Sequence, residues 1–107
     1  MAELEENARH AAGLLKAMSN PARLVILCQL AEGERSVGEL ERAVGLSQSG
    51  ISQHLAVLRR EGVVATRRER QTIRYSLGSK DIVILMAALH SIFCGAAKAP
   101  AARLKAA

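Results

Sequence analysis

Apolar positions recur at helical spacing along most of the chain and change to alternation once, between residues 63 and 77. Leu4, Ala8, Ala11, Leu15 and Met18 make one stripe, which predicts a first helix over residues 4–18. Ser19-Asn20-Pro21 stops it and starts the next, because Asn20 suits an N-cap and Pro21 the first helical position. The second helix is expected to reach about Ala31, with Leu24, Leu27, Cys28 and Ala31 on one side and Gly33 ending it.

Residues 36–62 carry two further helical patterns in close succession. Val37, Leu40 and Val44 define a short helix that Ser36 and Glu39 open as an S-x-x-E capping box. Gly45-Leu46-Ser47 breaks it, and Ile51, Leu55 and Leu58 mark one face of a longer helix closed by Gly62. Two helices joined by about three residues, with a glycine in the turn, are the sequence form of a helix-turn-helix.

The second of these helices is apolar on one side only. Ser49, Gln53, Ala56 and Arg60 lie roughly opposite the apolar face, flanked by Ser52 and Arg59, and no acid stands between Ser47 and Arg60. Short serine and glutamine side chains let a backbone approach base edges, while arginine reaches phosphate or guanine. An ordinary amphipathic surface helix would carry Glu/Lys pairs instead. His54, on the shoulder of this helix, reads as a packed, hydrogen-bonded residue.

After Gly62 the residues 63–68 and 72–77 are β-prone, with Glu69-Arg70-Gln71 as a polar tip. A basic hairpin directly after a recognition helix is a wing. Six arginines face two glutamates between Arg59 and Arg74, which favours phosphate contacts over a merely solvated hairpin. The expected DNA contacts are Ser47, Gln48, Ser49, Ser52 and Gln53 with Arg59 and Arg60 on the helix, and Arg67, Arg68, Arg70 and Gln71 on the wing.

Ser79 is expected to cap a closing helix on which Ile82, Val83, Leu85, Met86, Leu89, Ile92 and Phe93 cover most of the circumference. A helix apolar nearly all round must be buried. In so small a chain the expected cover is the same helix of a second subunit, beside the first helix, with Leu4, Leu15, Leu85, Met86, Leu89, Ile92 and Phe93 at the contact. A two-fold dimer suits an inverted-repeat site on double-stranded DNA. The fold class expected is mainly α with a small β-hairpin: a winged helix-turn-helix over residues 1–97 that dimerises through its first and last helices, then a frayed tail over 98–107.

Composition narrows the partners. The chain has 107 residues and a formal charge of +5, with Tyr75 and Phe93 its only aromatic residues. Base stacking, as used by single-strand and RNA readers, is therefore disfavoured, and duplex DNA matches better. The acidic, polar start and the interrupted apolar stretch after Ile82 resemble neither a secretion signal nor a membrane span. A cytoplasmic location is expected, where the two cysteines would be reduced thiols. No Ser/His/Asp order, glycine-rich phosphate loop or carboxylate pair suggests an enzyme, and no cofactor is expected.

The order of helices, hairpin and closing helix, with LLKAMSNPARLVIL, SVGELERAVGLSQSGISQHLAVLRREGVV and RQTIRYSL, resembles an ArsR-type repressor over residues 5 to about 95. The resemblance implies a homodimer that binds operator DNA and releases it when an inducer binds. Several branches of the family sense metals. Here Val37-Gly38-Glu39-Leu40 has no thiol where one branch carries a Cys-x-Cys-type motif, and only Asp81 and His90 stand where another has paired Asp/His ligands. Cys28 and Cys94, 66 residues apart, resemble instead the sulfide-responsive branch, in which two such thiols react with persulfides to form a polysulfide link within a subunit.

The residues themselves leave both thiols open to a blander role, since cysteine often serves as a small buried hydrophobe. His90 and Lys98 lie four residues either side of Cys94 and would favour its thiolate. Cys28 has only Glu32 at that spacing. Cys28, His90 and Cys94 could also supply three zinc ligands with no fourth in view. A metal-responsive repressor, or a winged fold used on protein, remains the alternative to the thiol-switched repressor.

Overall fold

A computed structural model of the chain describes the backbone of residues 1–95 and the side chains of residues 1–93. Five α-helices and three short strands follow one another as α1 (Ala2–Met18), α2 (Pro21–Ala31), β1 (Arg35–Ser36), α3 (Val37–Val44), α4 (Gln48–Arg60), β2 (Val64–Glu69), β3 (Thr72–Leu77) and α5 (Lys80–His90), which passes into a single π-turn, Ser91–Gly95.

Each helix after the first starts where a side chain satisfies one of its orphan amides. Asn20 Oδ1 accepts from the Arg23 N–H at 3.1 Å, with Pro21 in the first turn where its missing donor costs nothing. Ser36 and Glu39 form the reciprocal capping box: the Glu39 N–H donates to Ser36 Oγ at 3.2 Å, and the Ser36 N–H to Glu39 Oε1 at 2.8 Å. Ser47 and Ser79 cap α4 and α5 through the Gly50 and Ile82 amides. Gly45 leaves α3 at φ 82°, a left-handed turn that a side chain would disfavour.

One core joins all the helices. Ile26 and Leu27 of α2, Leu40 of α3, Ile51, Leu55 and Leu58 of α4, and Val63 ahead of β2 are fully buried. Ala17 and Met18 cover it from α1, Ile82 and Met86 from α5. Truncating one of these large side chains to alanine should cost about 2–5 kcal/mol, the lost transfer energy plus the cavity left behind.

The expected hairpin is a three-stranded antiparallel sheet in the order β1-β3-β2. Val64 faces Leu77 and Glu69 faces Thr72, so the turn is the pair Arg70-Gln71 rather than a three-residue tip. Arg70 adopts φ 59°, a left-handed conformation uncommon for a residue with a side chain. β1 escapes a pattern search because it is two residues long and its Ser36 also caps α3.

The apolar faces divide between the subunit's own core and its surface, and the face expected for α2 is revised. Only Met18 of the α1 stripe enters the core; Leu4 and Leu15 are 64% and 55% exposed, because α1 meets the rest of the subunit only near its C-terminal end. On α2 the buried side is Ile26, Leu27 and Leu30, and Leu24, Cys28 and Ala31 face outward. On α5 Ile82 and Met86 point into the subunit, Leu85 and Leu89 are half-buried, and Val83 and Ile84 are exposed, as are Ile92 and Phe93 in the π-turn that follows. Met86, expected at a subunit contact, is 3% exposed and belongs to the subunit's own core. The tail over 98–107 and the boundary at 97 lie outside the described residues.

Candidate functional site

The α4 helix presents two unlike faces. Ile51, Leu55 and Leu58 anchor it in the core, and Gln48, Ser49, Ser52, Gln53, Ala56, Arg59 and Arg60 are exposed on the outside. Its cap, Ser47, is exposed too and lies 3.3 Å from Ser49, oxygen to oxygen. The first turn contains no acid and the last holds Arg59 and Arg60. The positive end of the helix dipole is thus left uncompensated beside small hydrogen-bonding groups, an arrangement that favours anions such as phosphate.

A groove of about 470 Å³ runs between α4 and β3, bordered by Ser52, Ala56, Arg59, Arg60 and Tyr75. It joins the exposed face of α4 to Tyr75 of the hairpin; the expected wing contacts Arg67, Arg68, Arg70 and Gln71 do not border it.

The wing arginines differ in their surroundings. Arg67 Nη2 and Nε donate to the two carboxylate oxygens of Glu34, with Glu69 3.6 Å from Nη1. Arg68 Nε donates to the Arg70 carbonyl at 3.1 Å, bracing the tip. Arg70 and Gln71 are exposed at the apex, and among the described residues Arg70 has no ion-pair partner. Arg74, on β3, bridges Glu39 at 3.1 Å and Glu69 at 3.2 Å. The hydrogen bonds from Arg67 lower the pKa of Glu34; the Ser36 backbone N–H, with Arg74 nearby, does the same for Glu39.

Between α2 and α5, Cys28 is exposed and borders two adjoining cavities. The larger, about 550 Å³, is also lined by Glu32, Val83, Met86 and His90. The smaller, about 210 Å³, is walled by Leu24, Met86, Leu89, His90 and Phe93. His90 therefore shares the groove of Cys28, although its spacing along the chain pairs it with Cys94. Cys94 has its backbone in the π-turn that prolongs α5, and its side chain lies outside the described residues, as does Lys98. Among the described residues no three His, Cys, Asp or Glu side chains cluster to hold a metal ion. No helix among them is long and apolar enough to cross a membrane.

Sequence inspection missed the partners rather than the actors. Glu34, Glu39 and Arg74 brace the wing across 33 and 35 residues, and Arg23 meets His54 across 31. No local pattern announces such pairs. His54 is half-buried and hydrogen-bonded as expected, accepting from Arg23 Nε at 3.1 Å, and His10 is exposed on α1.

Comparison with known proteins agrees with this geometry. The profile described as bacterial regulatory protein, arsR family, matches residues 20–66, from the cap of α2 into β2. The transcriptional activator HlyU of Vibrio cholerae is 51% identical over 88% of this chain and 87% of its own length. The biofilm growth-associated repressor of Xylella fastidiosa is 46% identical over 90% of this chain and 84% of its own. The structure of reduced HlyU from Vibrio cholerae superposes with a TM-score of 0.81 at 50% identity, covering 88% of this chain and 99% of that one. The homodimeric winged helix-turn-helix DNA-binding domain of a Mycobacterium bovis protein gives 0.80 at 30% identity, covering 86% and 85%. These relatives are named as regulators of transcription or as a DNA-binding domain, not as enzymes. With half its residues identical to such a regulator over nearly the whole of both chains, this chain belongs to the arsR family of bacterial regulatory proteins.

Proposed function

We propose that the protein is a cytoplasmic homodimeric repressor that binds double-stranded operator DNA of inverted-repeat form and releases it when reactive sulfur species link Cys28 to Cys94. The observation that carries the DNA half is the acid-free outer face of α4, where Gln48, Ser49, Ser52 and Gln53 are exposed and Arg59 and Arg60 border the groove against β3. The dimer half rests on the apolar residues that α1, α5 and the π-turn after it leave exposed, Leu4, Leu15, Val83, Ile84, Ile92 and Phe93.

The switch rests on Cys28, which lies at the groove whose other wall is α5, the helix that leads into Cys94. Each thiolate attacks the outer sulfur of a low-molecular-weight persulfide, forming a protein persulfide and expelling the donor thiolate. The deprotonated persulfide of one cysteine then attacks the inner sulfur of the other, forming a trisulfide and expelling hydrosulfide. Atoms and electrons balance with the persulfide as the only oxidant. A direct disulfide needs Cα atoms within about 7 Å, and an inserted sulfur relaxes that requirement. Tying α5 to α2 would couple the dimer interface to the helix-turn-helix. Release needs the linked form to bind DNA on the order of 10²-fold more weakly, about 2.7 kcal/mol.

The test is mass spectrometry with DNA binding on the same samples, reduced and persulfide-treated. A mass gain of one sulfur less two hydrogens, with loss of operator affinity, is the expected result. Cys28→Ser and Cys94→Ser should keep DNA affinity and lose the response. Release of the operator by either single variant on treatment, or a plain disulfide mass, refutes the switch while leaving DNA binding intact.

A further inference from the structure

Arg23 ties three helices together. Its backbone N–H donates to Asn20 at the start of α2, its Nη1 to the Ala17 carbonyl at the end of α1 (3.1 Å), and its Nε to His54 Nδ1 on α4 (3.1 Å). Arg23 and His54 are both half-buried. His54 sits between exposed Gln53 and buried Leu55, so this bond ties the edge of α4's outer face to the corner of α1 and α2.

The bond depends on the charge of the imidazole. For Nδ1 to accept, the ring must be neutral with its proton on Nε2, a tautomer inferred here from the acceptor role. A protonated ring carries N–H on both nitrogens, and two donors of like charge would then face each other. The other charged groups beside Arg23 border a cavity of about 360 Å³: Lys16 of α1, Arg60 at the end of α4, and Glu61. Two further cations and a single carboxylate leave the surroundings of Arg23 net positive.

We propose that Arg23 and His54 are positioning residues for DNA reading, coupled only while His54 is neutral, so that acid weakens sequence-specific binding by loosening α4 from the α1–α2 corner. The coupling uses no thiol and stands apart from the Cys28–Cys94 switch. Its sign is distinctive. Acidification by itself makes the protein more positive and should hold or strengthen non-specific phosphate binding.

The test titrates the reduced protein with a duplex that it has selected from a random-sequence pool, and with an unrelated duplex of equal length. Ionic strength is fixed while pH runs from about 7.5 to about 5.5, the span in which histidine ordinarily titrates. The wild-type protein should lose specific affinity about tenfold over this span and keep its affinity for the unrelated duplex. In His54→Gln the amide oxygen can still accept from Arg23 but does not titrate; specific affinity should be near wild type at the upper pH and flat below. Arg23→Ala and His54→Ala should each weaken specific binding about tenfold, and the double variant no further. A flat wild-type profile, the same acid loss in His54→Gln, or single effects that multiply in the double variant each overturn the proposal. Should the alanine variants fail to fold, the wild-type and His54→Gln profiles decide it alone.

Discussion

Arg67 holds Glu34 with two hydrogen bonds, Nη2 to Oε1 at 2.7 Å and Nε to Oε2 at 3.2 Å, and thereby straps the wing to the loop ahead of β1. By contrast Arg70 stands at the wing tip in a left-handed conformation. The two arginines should behave differently on DNA. Arg70→Ala is expected to reduce the slope of log affinity against log salt by about one, the signature of one lost phosphate contact. Arg67→Ala should weaken binding modestly at every salt concentration and leave the slope near its wild-type value, because the strap rather than a phosphate contact is lost. Equal reductions in slope would put Arg67 on the phosphate backbone as well.

Gln53 is exposed on α4 next to His54, and an amide there can read the edge of a base. Gln53→Ala should lower affinity for the selected duplex by about 1–3 kcal/mol while non-specific binding barely changes. Competition between the two duplexes measures both at once. A uniform loss across sequences would reassign the residue to the backbone.

Acid should loosen the wing before it unfolds the core. The Glu34 carboxyl is held below the ordinary value of 4.5 chiefly by hydrogen bonds from Arg67, and Glu39 chiefly by the Ser36 backbone N–H. A depressed native pKa gives stability that is complete above the unfolded value and is lost as pH falls through the native one. Thermal stability should therefore decline as pH drops below about 4.5, and Glu34→Gln and Glu39→Gln should each shallow that decline. Both carboxylates are at the surface, so each effect should be small. Identical acid slopes in wild type and variants would rule out the two carboxyls as its source.

The legible parts were those governed by near neighbours. The caps at Asn20, Ser36 and Ser79, the left-handed glycine at 45 and the buried row Ile51-Leu55-Leu58 all follow from spacing along the chain. What could not be read was set by distant contacts. The outward turn of Leu24 and Cys28 depends on which side of α2 meets α3 and α4, and two apolar sides of one helix look alike in sequence. His90 belongs by spacing with Cys94, yet the packing of α5 on α2 brings it to the groove of Cys28. The straps from Arg67 and Arg74 join residues too far apart for any periodicity to pair.

Gly78 is where the sheet hands over to α5, and its N–H donates to the Val63 carbonyl at 2.8 Å. A Cβ at this position would collide with the Gly62 carbonyl, which is backbone and cannot swing aside. Gly78→Ala should destabilise the fold by about 1–3 kcal/mol, the usual cost of overpacking, through displacement of the link between β3 and α5. Gly38, whose added Cβ would meet nothing nearer than 3.7 Å, is the control at which alanine should be tolerated or should stabilise α3 by up to about 1 kcal/mol. Equal stabilities for the two variants, by chemical denaturation, would mean that the backbone at 78 gives way freely.

The proposed dimer can be tested without harming the subunit, because α5 separates the two kinds of apolar residue. Met86 is inside the subunit's own core and Leu89 is half-buried, so a charge at either place would confuse unfolding with dissociation. Ile84 is 66% exposed on the same helix. Ile84→Glu should leave the helical circular-dichroism signal intact, since the carboxylate meets water in the free subunit. In a dimer closed by α5 the same carboxylate would be buried without a partner, at a cost of several kcal/mol. Light scattering at micromolar concentration should then report a folded monomer. An inverted repeat requires two α4 helices held about 34–36 Å apart, so the monomer should also lose affinity for the selected duplex far more than for a half-site. A folded dimer of Ile84→Glu with unchanged DNA affinity would place the subunit contact on another face.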